Sequence, residues 1–172
     1  MKDRKLIITP IDRVKASEAA QNFLSVASNL GAGYTPVQGW TDNQHRLKQL
    51  TLAYAAEIGI AKKLHLQWNG MATGKRQADV GQNIEVRWTS TDYAIVYEYD
   101  RDDDLLFLVK GTSFDSLWIA GFIPIRMAKV DEYKKVRKGL PVNWWVPLSK
   151  LYTYLPQNQA VMAFLDRFIK MV

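Results

Sequence analysis

The sequence predicts a mixed α/β (α+β) fold with a central mixed β-sheet flanked by helices. Two observations carry that expectation. Apolar residues recur at helical spacing over the first third of the chain, and past Leu64 the pattern shortens to the alternation of strands. A run of consecutive strands then follows before a last amphipathic helix, the order of a layered domain. Leu6 to Ile11 reads as a short strand or extended arm. Lys15 to Leu30 reads as a helix, with Ala16, Ala19, Ala20, Phe23, Val26 and Leu30 on one side, closed by Gly31-Ala32-Gly33-Tyr34-Thr35-Pro36. Thr41, Asp42 or Asn43 caps a second helix that runs to about Leu64. Leu64 to Trp68 reads as a short strand, and Asn69 to Ala78 as an exposed loop. Strands are expected at Ile84 to Thr89, Tyr93 to Tyr99, Leu105 to Lys110 and Leu117 to Ile125. Asp100-Arg101-Asp102-Asp103-Asp104 reads as a solvated hairpin turn between two of them; it lacks the central Gly and final Glu of a calcium loop. Arg126 to Lys138 reads as a charged helix and Trp144-Trp145-Val146 as a short edge element. A helix from about 157 to 172 carries Val161, Phe164, Leu165, Phe168, Ile169 and Val172 on its apolar side.

Composition narrows the function classes. At 172 residues, 48% hydrophobic and 23% charged, the chain fits one globular domain with a proper core. A net charge of +6 favours polyanionic partners such as nucleic acid. The absence of cysteine excludes disulfides, thiolate metal sites and a cysteine nucleophile. Lys2, Asp3, Arg4 and Lys5 precede only Leu6-Ile7-Ile8, which is too polar and short for a signal peptide, and no stretch has the apolar length of a membrane span. The expectation is a soluble cytoplasmic protein without membrane partners. Ser113, Ser116 and Ser149 have no histidine at a readable spacing, and the glycines form no phosphate-binding loop. His45 and His65 lie on different elements, which argues against a zinc site.

The chemically informative stretch is Asp79-Val80-Gly81-Gln82-Asn83-Ile84-Glu85-Val86-Arg87. Side chains two apart on a strand point the same way, so Glu85 and Arg87 share one face, and Ile84, Val86 and Trp88 the other. With Asp79 at the mouth of a tight turn, two carboxylates stand beside a fixed cation. That is the equipment of a Mg²⁺-assisted phosphodiester cleavage site: hard oxygen ligands for the metal and a positive group for the developing phosphorane charge. Alternating charge is also what a solvated strand face carries. On the second helix, Glu57 falls on the stripe of Leu47, Leu50, Tyr54, Ile58 and Ala61. A carboxylate there needs a metal, a water or a cation such as Arg87, unless it sits at the stripe's margin and reaches solvent. Gly59 beside it would let the helix pack closely on the sheet.

An inward Glu on a helix, an Asp before a strand and Glu-x-Arg on that strand, in this order, resemble the PD-(D/E)XK nuclease superfamily; the block from Val109-Lys110-Gly111 through Trp118 to Pro124, followed by Arg126-Met127-Ala128-Lys129, resembles the later strand and helix of its small phage-type members. The resemblance covers roughly Leu47 to Lys138 of a single domain, with a helical extension over about residues 1–40. It implies a restriction-endonuclease-like fold and a nuclease that hydrolyses DNA with Mg²⁺ or Mn²⁺. By position, Asp79 and Glu85 match the motif's metal-binding acids, Glu57 its additional helical acid, and Arg87 its lysine. Three features depart from the pattern. Ala78 stands where a proline is usual, the Asp79-to-Glu85 connection is short, and arginine replaces lysine. Arginine is a planar, always protonated fork that suits phosphate better than water. The change fits an altered nuclease or an inactive relative that still holds nucleic acid. Lys75, in the preceding loop, is the candidate for the missing ammonium. Lys75, Arg76, Lys62, Lys63, Arg126 and Lys129 are the candidate backbone contacts, the last two within a basic run that continues through Lys134, Lys135, Arg137 and Lys138. A non-catalytic nucleic-acid-binding or assembly protein is the alternative reading, and a homo-oligomer contact through Phe164 and Phe168 or Trp144-Trp145 a third.

Overall fold

A computed structural model describes residues 2–29, 43–70 and 77–170. The glycine-rich segment at 31–36, the capping positions 41 and 42, and Lys75 and Arg76 lie outside the described residues. The N-terminal arm is extended, with Leu6 donating its N–H to Leu117 O at 2.9 Å, and ends sooner than its sequence suggests. Thr9 and Asp12 exchange hydrogen bonds, N–H to Oδ2 at 2.8 Å and N–H to Oγ1 at 3.3 Å, the reciprocal pattern of a capping box. Pro10, whose missing N–H costs nothing at a first helical position, therefore opens α1 (Pro10–Asn29). Ala16, Ala19 and Ala20 are buried where α1 meets α2 (Asn43–Leu64). Gly59 of α2 faces the arm rather than the sheet: a Cβ there would lie 2.8 Å from Leu6 Cδ1 and 3.0 Å from Ile8 Cδ1.

Leu64 belongs to the last turn of α2, so the strand expected over Leu64 to Trp68 does not form. His65 turns the chain with φ of 55°, and Trp68 alone pairs, in a single bridge to Val80. Six strands follow among the described residues: β1 (Ile84–Trp88), β2 (Tyr93–Tyr97), β3 (Leu105–Lys110), β4 (Trp118–Pro124), β5 (Lys134–Lys135) and β6 (Asn143–Pro147). They form two three-stranded sheets instead of one. The first, in order β1-β3-β4, is mixed, with β1 parallel and β4 antiparallel to β3. The second, β2-β6-β5, is antiparallel. The topology explains the split. Parallel neighbours need a crossover, and β2 lies in the β1-to-β3 crossover, pairing elsewhere. The acidic segment from Asp100 to Asp104 is accordingly a link between sheets and not a hairpin turn. Trp144 and Trp145 sit in the central strand of the second sheet, between β2 and β5, rather than at an edge.

The core lies on both faces of the first sheet. Leu105, Leu106, Phe107, Leu108 and Val109 of β3 are all fully buried, as a strand covered on two sides requires. Ile84, Val86, Leu105, Phe107 and Val109 pack in one cluster with α1, α2 and Leu165 of α4 (Gln159–Lys170). Leu106, Leu108, Ala120 and Ile123 pack against Ala94, Val96 and Val146 of the second sheet. Helices thus cover one face and the small sheet the other, where the sequence led to helices on both. The charged segment after β4 is helical only over α3 (Ile125–Ala128); Asp131–Tyr133 makes a single 3₁₀ turn and Lys134–Lys135 pairs as β5. No helix among the described residues is long and apolar enough to cross a membrane.

Candidate functional site

The site grows from the edge of the first sheet. β1 has no strand on its outer side, and an edge strand leaves backbone groups to be satisfied by other means. Val86 donates its N–H to Asp79 Oδ2 at 2.7 Å. Asp79 is brought there by a tight turn in which Val80 and Ile84 exchange backbone hydrogen bonds of 3.1 and 3.2 Å. Gly81 takes φ of 59° in that turn, a conformation that strains residues with a Cβ. Asn69 staples the turn from behind, its Nδ2 donating to Ala78 O at 2.8 Å and Gly81 O at 2.6 Å. The short Asp79-to-Glu85 connection is therefore compatible with convergence of the two acids.

Alternation along β1 puts Ile84 and Val86 into the core and leaves Glu85 and Arg87 on the opposite side. The Arg87 guanidinium is the hub. Its Nη1 donates to Glu85 Oε2 at 3.0 Å and reaches Asp79 Oδ2 at 3.4 Å; its Nη2 donates to Asp100 Oδ1 at 2.8 Å. The guanidinium carbon lies 5.5 Å from the centre of the Tyr97 ring, within cation–π range. Asp100 also accepts the Tyr97 N–H at 2.9 Å, so the end of β2 holds it in place. Glu57 is 8% exposed and completes the group from α2, its Oε2 accepting the indole N–H of Trp68 at 2.9 Å. It faces inward as its helical spacing predicts, and Trp68 supplies part of the pairing such a carboxylate needs.

The electrostatics are those of an over-filled acidic pocket. Burial, reinforced by the charge of Asp79, pushes Glu57 well above the ordinary carboxylate range despite the Trp68 hydrogen bond and the pull of Arg87. Burial likewise raises Asp79, against the opposing effects of Arg87 and the Val86 N–H. Glu85 is pushed up to about 7, by burial first and by Asp79 second. Burial works against the charge of Arg87, but Asp100, Glu85 and Asp79 together outweigh it and hold the guanidinium more firmly protonated than usual. The Tyr99 hydroxyl is pushed up to about 12 by burial. Four carboxylates, those of Glu57, Asp79, Glu85 and Asp100, thus share one guanidinium. One positive charge cannot balance four negative ones, so protons or a further cation must supply the difference.

Mg²⁺ or Mn²⁺ suits this donor set in chemistry. Hard carboxylate oxygens are its preferred ligands, and Mg²⁺ commonly takes one or two from protein with the rest from water and phosphate. Asp79 and Glu85 are both aimed at one point, and that point holds Arg87 Nη1. As the side chains stand, no group of three or more His, Asp or Glu among the described residues is arranged to hold a metal ion. Arg87 Nε is buried with no hydrogen-bond partner, so the guanidinium is not fully satisfied where it rests. A metal at this point requires Nη1 to withdraw, and Asp100 lies on the side towards which it can do so.

The remaining sequence candidates divide. Lys62 is 2.6 Å from Asp12 Oδ2 and serves the start of α1. Lys63 is half-buried in the last turn of α2. Lys129 is committed internally, donating to Asp102 Oδ1 at 2.7 Å and to the Asp100 carbonyl, with Trp144 5.7 Å from its ammonium. Arg126 is exposed and lines a cleft of about 450 Å³ with Arg101 and Phe168. Sequence reasoning missed Asp100, Trp68 and Tyr97. Asp100 was hidden in an acidic run that reads as solvated, and the sequence holds no signal that separates it from its neighbours. Searches against protein-family models, curated proteins and solved structures find no match to this chain.

Proposed function

We propose that the chain is a metal-dependent nuclease-like protein that hydrolyses phosphodiester bonds in DNA, on a fold of the restriction-endonuclease type. The observation that carries this reading is the convergence of Asp79 and Glu85 on the point held by Arg87 Nη1, in a cluster where four carboxyl groups face one guanidinium. A divalent cation such as Mg²⁺ or Mn²⁺, held by Asp79 and Glu85, would supply Lewis-acid stabilisation of a phosphoryl oxygen. Glu57 stands behind these two and adds negative potential, fixed by Trp68. Arg87, released from Asp79 and Glu85 but still held by Asp100, presents a planar pair of N–H donors to a phosphate. Its role is to bind and orient the phosphate and to offset charge as it develops; unlike lysine, it is poorly suited to positioning a water. The Arg87, Asp79 and Glu85 side chains keep 22%, 20% and 12% of their surface exposed, which is where a backbone phosphate would meet the cluster.

A second reading has its own support. Arg87 Nη1 fills the point between the two acids, as it would in an inactive relative that keeps the fold and binds nucleic acid without cutting it. Binding of Mn²⁺, followed by its electron paramagnetic resonance, separates the two. The nuclease reading predicts a bound ion in the wild type, weaker binding in Glu85→Gln and loss in Asp79→Ala. A wild-type protein whose Mn²⁺ spectrum stays that of the free ion supports the inactive relative.

A further inference from the structure

The outer face of the second sheet is an aromatic and cationic strip that leads to the candidate site. Ala94 and Val96 of β2 point into the core, so Tyr93, Ile95 and Tyr97 lie on the opposite face. Register places Ile95 beside Trp145 of β6, whose neighbour Val146 is buried in that same core. The rings follow one another along this face. Tyr99 stacks on Tyr97 with centroids 5.3 Å apart and planes 6° from parallel, and Tyr93 meets Trp145 at 5.9 Å. Each end carries an arginine over a ring: Arg87 at 5.5 Å from Tyr97 and Arg137 at 5.2 Å from Trp145. Trp145 is oriented by its indole N–H, which donates to Asn143 Oδ1 at 2.9 Å. A cleft of about 500 Å³ lies beside it, lined by Tyr93, Tyr133, Lys135, Arg137 and Trp145 among others.

We infer that this face binds single-stranded nucleic acid, with bases stacking on Tyr93 and Trp145 and the backbone tracking from Arg137 towards Arg87. Charge complementarity selects this occupant. Lys134, Lys135, Arg137 and Lys138 are exposed, and none of them is in an ion pair among the described residues. The acidic group in the cleft, Glu132, is 3.7 Å from Lys150 and so partly offset. Aromatic faces select the strandedness: unpaired bases can lie on them, whereas the base faces of a duplex are covered by their neighbours. The inference rests on the nuclease reading for where the strand leads, but not for the binding itself.

The test uses the full chain in EDTA, with a labelled oligothymidylate and a blunt duplex of equal length as probes. Tyr93→Ala with Trp145→Ala is expected to weaken oligothymidylate binding roughly thirtyfold or more, at about 1–3 kcal/mol for each of the two lost stacks, and to change duplex binding little. Because Trp145 is half-buried, the exposed charge reversal Lys135→Glu with Arg137→Glu is measured in parallel; it should weaken binding and lower its salt dependence. Oligothymidylate affinity unchanged in the charge-reversal variant overturns the inference. So does an equal fall for duplex and single strand, or a wild type that binds neither probe. Self-association of the wild type that Trp145→Ala abolishes, without nucleic-acid binding, would instead make this face an interface between copies of the chain. Binding through this face by a protein that never cleaves with Mg²⁺ or Mn²⁺ would refute the nuclease reading and leave the strip standing.

Discussion

Asp100 holds Arg87 from the far side: its Oδ1 lies 2.8 Å from Nη2, while Nη1 of the same guanidinium lies 3.0 Å from Glu85. One cation is thus shared between the end of β2 and the middle of β1, and the two sheets are joined at the candidate site. Asp100→Asn keeps an oxygen for the Tyr97 N–H and removes the charge. It should lower stability by roughly 1–3 kcal/mol, the range for a hydrogen bond to a charged group, because Arg87 retains Glu85 and Asp79. Urea unfolding checks this, and a loss near zero would mean that Asp100 does not hold the arginine.

Glu57→Gln should act in the opposite direction. The amide oxygen can still accept the Trp68 N–H, and one carboxylate leaves a pocket that holds too many. Above neutral pH and without metal, the variant should melt at a higher temperature than the wild type. A lower melting temperature there would show that the Glu57 charge is balanced in the folded state.

The metal-free protein should lose stability as pH rises through the range set by Glu85. This group has an ordinary value of 4.5 and is pushed up to about 7 when folded. Between those values the folded state holds a proton that the unfolded state has released, so stability falls with rising pH, and the contribution is complete only below the lower value. Asp79 and Glu57, both raised, act in the same sense. Asp12, lowered chiefly through its Lys62 and Thr9 hydrogen bonds against the cost of burial, acts oppositely but only in the acid range near 3.8 and below. Urea midpoints in EDTA at several pH values between about 5 and 8 should therefore decline, and Glu85→Gln should flatten the decline.

What the sequence made legible was local. Two-residue alternation separated Glu85 and Arg87 from Ile84 and Val86, and helical spacing turned Glu57 inward; both hold in the structure because each depends on a single element's geometry. What stayed hidden was non-local. The parallel pairing of β1 with β3 passes over β2, and nothing in the residues of β2 marks it as belonging to a second sheet. Asp100 could not be picked out because it lies in the link after β2 while its partner Arg87 lies on β1, thirteen residues earlier. The charged stretch after β4 carries helical residues, but Tyr133 packs against the second core cluster and Lys134 and Lys135 pair with β6. Tertiary pairing outweighs propensity there.

Arg87→Lys separates a steric block from a loss of chemistry. A lysine keeps the positive charge, cannot span Asp100 and Glu85 as the fork does, and can orient a water. The variant should be less stable than the wild type, by roughly 1–3 kcal/mol for the lost charged hydrogen bond, and should bind Mn²⁺ more tightly. Weaker Mn²⁺ binding would mean that Arg87 does not compete with metal for Asp79 and Glu85.

Cleavage of labelled single- and double-stranded DNA with Mg²⁺ or Mn²⁺ tests the central claim most directly. The account predicts cleavage by the wild type, its loss with EDTA, and a fall of at least about a hundredfold in both Asp79→Ala and Glu85→Gln, whose circular dichroism stays that of a folded protein. No cleavage by the wild type and by Arg87→Lys alike, with either metal, would contradict it.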